Sequence, residues 1–114
     1  MKIQQYLLVL LEVLFPYMLN ADVTEDIHFS HIGLEEGLSH STIFAINQDK
    51  GGNLWFATYD GVNKYDGYNF IVYRHQYTNP KSIASEISRC ITMDDSDRIW
   101  IGTREGLSLY NHYK

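Results

Sequence analysis

The sequence is poor in cysteine and proline and carries no excess of positive charge. Its 114 residues include one cysteine, Cys90, and two prolines. One cysteine excludes both an internal disulfide framework and a zinc site built from several thiolates. The net charge of −5 at pH 7, without a basic stripe, argues against nucleic acid as a partner.

Sequence patterns of common catalytic and metal sites are also missing. The five histidines are scattered and lack zinc spacing, and no phosphate-binding glycine loop or nucleophile elbow is present. A calcium loop starting at Asp94 would place Arg98 where a ligand belongs and Ile99 where glycine is needed. We therefore predict no metal, no cofactor and no catalytic residue in this chain.

Two stretches of the chain repeat each other at a constant offset of 45 residues. The first runs from Asp49 to Tyr65 and the second from Asp94 to Tyr110. The positions that recur in register are Trp55 and Trp100, Thr58 and Thr103, Gly61 and Gly106, and Tyr65 and Tyr110. A fixed period of roughly 40–50 residues is typical of propeller blades and similar arrays.

Each copy alternates short β-forming runs with turn residues, as in Leu54-Trp55-Phe56-Ala57-Thr58. The pairs Asp60-Gly61 and Asp66-Gly67 predict tight hairpins with positive φ at both central residues. The first copy is therefore expected to form a four-stranded antiparallel meander, and the second to form three strands. Because the first two runs are continuously apolar, we expect both faces of those strands to be covered.

Five residues receive structural interpretations from their place in these runs. Cys90 lies 45 positions after Ala45 and is expected to be a small buried strand residue, since free cysteine usually behaves as a small hydrophobe. The tryptophans are assigned to packing between blades rather than to stacking on sugars, and Thr58 and Thr103 to hydrogen bonds within a blade.

The pattern Asp-x-x-Gly-x-Leu-Trp-Phe-x-Thr-x-x-Gly-Val-x-x-Tyr, read from Asp49 to Tyr65, resembles the two-component regulator propeller repeat. This repeat occurs in the periplasmic sensors of hybrid two-component systems of Gram-negative bacteria. The segment from Phe29 to Ser39 resembles the lead-in of those sensors. Two positions depart from the pattern, because Ala57 and Asp97 stand where the repeat has glycine; a hairpin is still expected in both copies.

The resemblance implies an all-β fold of four-stranded meanders, an incomplete propeller preceded by a signal helix. The expected divisions are a signal peptide at 1–21, a lead-in at 22–41, a first blade at 42–84 and a partial second blade at 85–114. Within the lead-in, Asp26 to Ile32 is expected to be the outer strand of a closing blade. Since a propeller needs at least about four blades, we interpret the chain as the N-terminal piece of a longer product that does not fold stably alone.

The N-terminal segment has the pattern of an export signal. Lys2 supplies a positive start, and the apolar run from Tyr6 to Leu19 is shorter than the roughly 20 residues of an ordinary spanning helix. Pro16 is expected to break the helix before cleavage after Ala21. The alternative is an amphipathic helix packed on the domain.

Ligands of propellers usually meet the loops around the central channel. His40 precedes an inner strand, and Tyr59 and Arg104 occupy equivalent hairpin positions; these three are the candidate ligand-binding residues. The resemblance implies a periplasmic sensor that binds an oligosaccharide and signals to a cytoplasmic histidine kinase, whose activity would lie beyond Lys114, in a parent anchored in the inner membrane. The alternatives are an extracytoplasmic enzyme of glycosidase or lyase type and a protein-interaction propeller.

Overall fold

The structure, a computed structural model, describes residues 2–19 and 25–111, and the chain divides into two units, Met1–Ser30 and His31–Lys114. In the first unit, helix α1 runs over Lys2–Leu19. The helix continues through Pro16, so the predicted break is wrong: a proline removes one backbone hydrogen bond, which a helix can absorb as a kink. The predicted cleavage after Ala21 lies outside the described residues.

Across the two described ranges, no helix combines the length and apolarity needed to cross a bilayer. The predicted strand from Asp26 to Ile32 is also wrong, because the whole segment lacks regular structure. A strand exists only through ladder hydrogen bonds to a neighbour. The one bond between backbone groups recorded here is local, from the Ile27 N–H to the Glu25 carbonyl.

Seven strands form two antiparallel sheets in the second unit, after a short 3₁₀ helix at Leu34–Glu36. The first sheet has the order β1-β2-β3-β4 and the second the order β5-β6-β7. Their bounds are β1 Ile43–Gln48, β2 Leu54–Thr58, β3 Val62–Tyr65, β4 Phe70–Tyr73, β5 Ser88–Met93, β6 Ile99–Thr103 and β7 Gly106–Tyr110. The predicted meander of four strands and its three-stranded partner are confirmed.

The hairpin turns differ in detail from the predicted type. Gly61 and Gly67 have positive φ, at 79° and 100°, whereas Asp60 and Asp66 do not, so the expectation of two positive φ values per turn is wrong. Asp66 explains why: its Oδ1 accepts the N–H groups of Tyr68 and Asn69 at 2.8 and 2.7 Å. This side-chain turn closes the loop with one glycine in the positive-φ region.

The two sheets pack face to face around an apolar core. The first sheet contributes Trp55, Ala57 and Val62, all fully buried, and Ile91, Ile99 and Ile101 come from the second. Trp55 stacks on Tyr73 at 5.8 Å between ring centroids. Burying each such side chain stabilises the fold by about 1.5–3 kcal/mol, and the packing role predicted for Trp55 is confirmed.

The face of each sheet that points away from this core is only partly covered. On the first sheet it is covered at β2, where Phe56 is 8% exposed, so the predicted coverage of both faces is confirmed for β2. Ile46 and Phe44 of β1 are exposed, so the same prediction is wrong for β1. Cys90 is exposed as well, against the prediction of a buried thiol. Both errors have one cause. These side chains would be buried only against a third sheet, and the described residues form two sheets.

Candidate ligand-binding site

Two of the three predicted site residues meet where β1 begins and β2 ends. The rings of His40 and Tyr59 lie 5.4 Å apart between centroids, tilted by 36°. Backbone bonds hold this arrangement: the Thr42 N–H donates to His40 Nδ1 at 2.9 Å, and the Tyr59 N–H donates to the Thr42 carbonyl at 3.3 Å. Accepting at Nδ1 makes His40 Nε2 available as a donor at the surface.

Phe44 and Arg89 extend this pair and were missed from the sequence. The Phe44 ring lies 6.4 Å from that of Tyr59, and the Arg89 guanidinium lies 4.7 Å over the Phe44 ring. The register of β1 against β2 shifts between Ile43 and Ala45, and such a bulge re-aims the side chain within it. Positions 44 and 89 are equivalent in the two repeats, which is the signal that could have identified them. We call His40, Phe44, Tyr59 and Arg89 the ring cluster.

Arg104 takes the same backbone position as Tyr59 but does not join the ring cluster. Its N–H donates to the Ile87 carbonyl at 3.0 Å, the bond that Tyr59 makes to Thr42 one repeat earlier. No contact joins its exposed side chain to His40 or Tyr59 within residues 31–111. The structure therefore brings together two of the three predicted residues.

A threonine at the end of β2 and of β6 holds each hairpin beside the site. Thr58 Oγ1 donates to the Gly61 carbonyl at 2.8 Å, and Thr103 Oγ1 donates to the Gly106 carbonyl at 2.7 Å. These bonds confirm the predicted hydrogen bonding within each blade. The first hairpin is further tied to Arg74, whose Nε and Nη2 reach the Asp60 carboxylate at 3.0 and 3.1 Å, and this ion pair raises the Arg74 pKa.

Ser39 anchors the segment that carries His40. Its N–H donates to Asn63 Oδ1 at 2.9 Å, and Asn63 Nδ2 donates back to Ser39 Oγ at 2.7 Å. The hydroxyl also donates to the Asp60 carbonyl at 2.6 Å. Asn63 is fully buried, so its satisfied amide holds the connection in one position. Hydrogen bonds therefore fix the backbone on both sides of the ring cluster.

An aspartate–tryptophan pair closes the opposite end of each blade. Trp55 Nε1 donates to Asp49 at 2.9 Å, and Trp100 Nε1 donates to Asp94 at 3.0 Å. The Trp100 bond, with further bonds from Arg98 and Ser96, lowers the pKa of Asp94 to about 2. For Asp49, burial pushes the pKa upward, but the bonds from Trp55 and Asn53 outweigh it and the pKa is lowered. These carboxylates are turn anchors.

The ring cluster offers exposed aromatic faces, one cation and one imidazole. Tyr59 is 48% exposed and Phe44 39% exposed, so a ligand can reach both rings. The four residues of the ring cluster include no carboxylate and no nucleophilic group, whereas glycoside hydrolysis uses a pair of carboxylates. The arrangement is suited to binding rather than to bond cleavage.

Comparison with known proteins agrees with the fold and the repeat. A family model described as the two-component regulator propeller matches residues 37–60 and 82–105. The extracellular domain of a hybrid two-component system from B. thetaiotaomicron is similar, with 41% identity and a TM-score of 0.66 over 73% of this chain. A second extracellular domain from that organism, also of a hybrid two-component system, has 30% identity and a TM-score of 0.57 over 63% of this chain.

A curated relative, histidine kinase P4 of Formosa agariphila, is 47% identical over 49 residues, which is 43% of this chain. The chain spans 4% of the length of that relative, and it covers 12% and 10% of the two extracellular domains. Each matched segment contains an inner strand, the tryptophan strand and the turn after it, so the two matches fall on structurally equivalent elements. Residues 37–60 and 82–105 therefore each match the two-component regulator propeller repeat.

Proposed function

We propose that this chain is part of the extracellular sensing propeller of a hybrid two-component system and that its ligand is an oligosaccharide. The observation that carries the sensor assignment is the 41% identity to an extracellular domain of such a system. In this proposal the signal passes to a histidine kinase that lies outside these 114 residues. The remaining blades of the sensor then come from outside the chain too.

The ring cluster supports a saccharide as the ligand. Sugar rings present C–H groups that pack on aromatic faces, and their hydroxyl groups accept from guanidinium and imidazole donors. Tyr59 and Phe44 supply the faces, and Arg89 lies 4.7 Å over the Phe44 ring. Arg104, exposed on the equivalent hairpin of the second sheet, is proposed to contact the far end of the ligand.

Titration of the full chain with a panel of oligosaccharides, followed by calorimetry, tests this function. We expect Tyr59→Ala to weaken binding by about tenfold or more, because a buried aromatic contact contributes on the order of 1–3 kcal/mol. The matched control is Tyr68→Ala, an 89% exposed tyrosine in the β3–β4 turn, which should leave the affinity unchanged. Binding that is unaffected by Tyr59→Ala, or absent across the panel, would contradict the saccharide assignment.

We also propose that residues 1–21 direct export to the periplasm and are then removed. The basis is the short apolar run after Lys2, together with the extracellular location named for the structural relatives. N-terminal sequencing of the exported protein should begin near Asp22, and an intact Met1 on exported protein would refute removal.

No observation favours the two alternatives. The enzymatic alternative requires paired carboxylates, and the ring cluster holds none. The protein-interaction alternative requires a cytoplasmic type of propeller, whereas the structural relatives are extracellular domains.

A further inference from the structure

The charge of Arg89 has no acidic partner in the described part of the chain. Arg74 and Arg98 each form an ion pair with an aspartate, at 3.0 and 2.7 Å. Arg89 is exposed, and no carboxylate of the described residues forms an ion pair with it. Its guanidinium lies instead 4.7 Å over the Phe44 ring. The positive charge of Arg89 is therefore available to a ligand of the ring cluster.

The contact with Phe44 restrains the guanidinium without using its hydrogen-bond donors. An arginine has five N–H groups in the plane of the guanidinium, and among residues 25–111 no acceptor is bonded to those of Arg89. A carboxylate presents two oxygens that match two parallel N–H groups of this plane. Such a charged pair is stronger than a bond to a neutral hydroxyl group, so the site favours an anion over a neutral polar group.

The acidic residues beside the first hairpin are directed to another cation. Asp60 follows Tyr59 in the chain, and its carboxylate accepts from Nε and Nη2 of Arg74 at 3.0 and 3.1 Å. The bond from Asp60, with the charges of Asp60 and Glu86, raises the Arg74 pKa. The ring cluster itself contains no carboxylate, although the chain as a whole carries a net charge of −5. The positive charge is thus a local property of this site.

His40 supplies a donor to the same site but no second charge. Its Nδ1 accepts the Thr42 N–H at 2.9 Å, so this nitrogen holds a lone pair and the ring proton lies on Nε2. His40 contacts Tyr59, and Tyr59 contacts Phe44. Arg89 lies at the far end of this row. A ligand across the rings therefore meets a neutral donor at one end and a cation at the other.

We propose that the oligosaccharide bound by the ring cluster is acidic and that the carboxylate of a uronic acid unit pairs with Arg89. This inference rests on the proposed function and adds the charge of the ligand to it. One sugar ring packs on Tyr59 and Phe44, and its two carboxylate oxygens accept from two N–H groups of Arg89. Arg89 is then the residue that distinguishes acidic from neutral saccharides.

Matched pairs of saccharides test the charge of the ligand separately from saccharide binding itself. Each pair consists of an oligosaccharide of galacturonate, glucuronate, mannuronate or guluronate and the same compound with its carboxyl groups reduced to primary alcohols. Calorimetry with the full chain should give an affinity about ten to a hundred times higher for the acid, as expected of hydrogen bonds between charged groups. A sulfated neutral oligosaccharide completes the panel.

Arg89→Gln should lower the affinity for the acid to that of its reduced partner. The affinity for the reduced partner should not change, which shows at the same time that the variant keeps its fold and its aromatic faces. Arg89→Lys keeps the charge but lacks the planar fork, so it should retain only part of the preference.

The matched control is Lys81→Gln, which removes one positive charge at an exposed residue outside the ring cluster. This variant should keep the full preference for the acid, because the effect belongs to the site and not to the net charge of the chain.

The outcomes separate this inference from the function on which it rests. Equal affinity for acid and reduced partner in the wild type, or a preference that survives Arg89→Gln, would overturn the role of Arg89 and leave the saccharide sensor standing. Binding of the sulfated compound without binding of any uronate would overturn the carboxylate assignment. Binding of no saccharide in the panel would overturn both this inference and the proposed ligand.

Discussion

At the scale of single residues, the two repeats solve one packing problem in two ways. Ala45 faces Ala57 across the first sheet, and Cys90 faces Gly102 across the second. A Cβ added to Gly102 would overlap Cys90 Sγ. The glycine of the second pair therefore makes room for the larger partner, and the total size of each pair is preserved.

This size exchange predicts non-additive effects of mutation. Gly102→Ala alone should destabilise the fold by up to about 1 kcal/mol, because the exposed Cys90 side chain must rotate away from the added Cβ. Cys90→Ala combined with Gly102→Ala recreates the Ala45–Ala57 pair and should restore wild-type stability, with a coupling energy of about 1 kcal/mol. Denaturant unfolding at one protein concentration measures all four corners of the cycle, and additive effects would show that the two residues do not interact.

At the scale of elements, the β5–β6 turn shows how a side chain can replace a glycine. Asp97 has a φ of 59° at the position where Gly52 has 88°. Aspartate is among the few residues that tolerate this region. The Asp97 N–H donates to the Asp94 carbonyl at 3.1 Å, as the Gly52 N–H does to Asp49. The turn is kept although the sequence pattern is broken.

The same turn predicts a dependence of stability on pH. The pKa of Asp94 is about 2 in the folded chain, against an ordinary value of 3.8. A lowered folded pKa means that the carboxylate stabilises the fold above pH 3.8 and that this stabilisation is lost as the pH falls towards 2. The thermal midpoint of the wild type should therefore drop further between pH 6 and pH 3 than that of Asp94→Asn.

Asp95→Asn is the control for the pH experiment, because Asp95 is an exposed neighbour on the same turn that lends its backbone carbonyl to Lys50. This variant should follow the wild type. If Asp94→Asn loses as much stability on acidification as the wild type, the bonds from Trp100 and Arg98 do not contribute to acid sensitivity.

At the scale of the whole molecule, the two sheets cover each other on one side each. Arrays of this kind need about three repeats for stable stacking, and the described residues form two sheets. A dilute monomer is therefore predicted to unfold at a low temperature, through a broad transition of low cooperativity. Circular dichroism of a dilute solution during heating measures this, and a sharp cooperative transition would contradict it.

The fold could be predicted because the same sequence pattern occurs twice in the chain. Seven strands follow from runs of β-forming residues separated by turn residues, and the register of Trp55 with Trp100 identifies equivalent positions. The site was predicted in part: His40 and Tyr59 were found from their loop positions. Phe44 and Arg89 were missed because the bulge between Ile43 and Ala45 turns Phe44 toward Arg89. A bulge cannot be recognised reliably in a single sequence.

By itself, the sequence determined the strands, their antiparallel order and the equivalence of Trp55 with Trp100, because local propensity and a fixed spacing act over short distances. Only the tertiary structure decided which face of each sheet is covered. That choice depends on which neighbour lies against the sheet, and no local pattern records it. For this reason Cys90 is exposed although its sequence surroundings indicate burial.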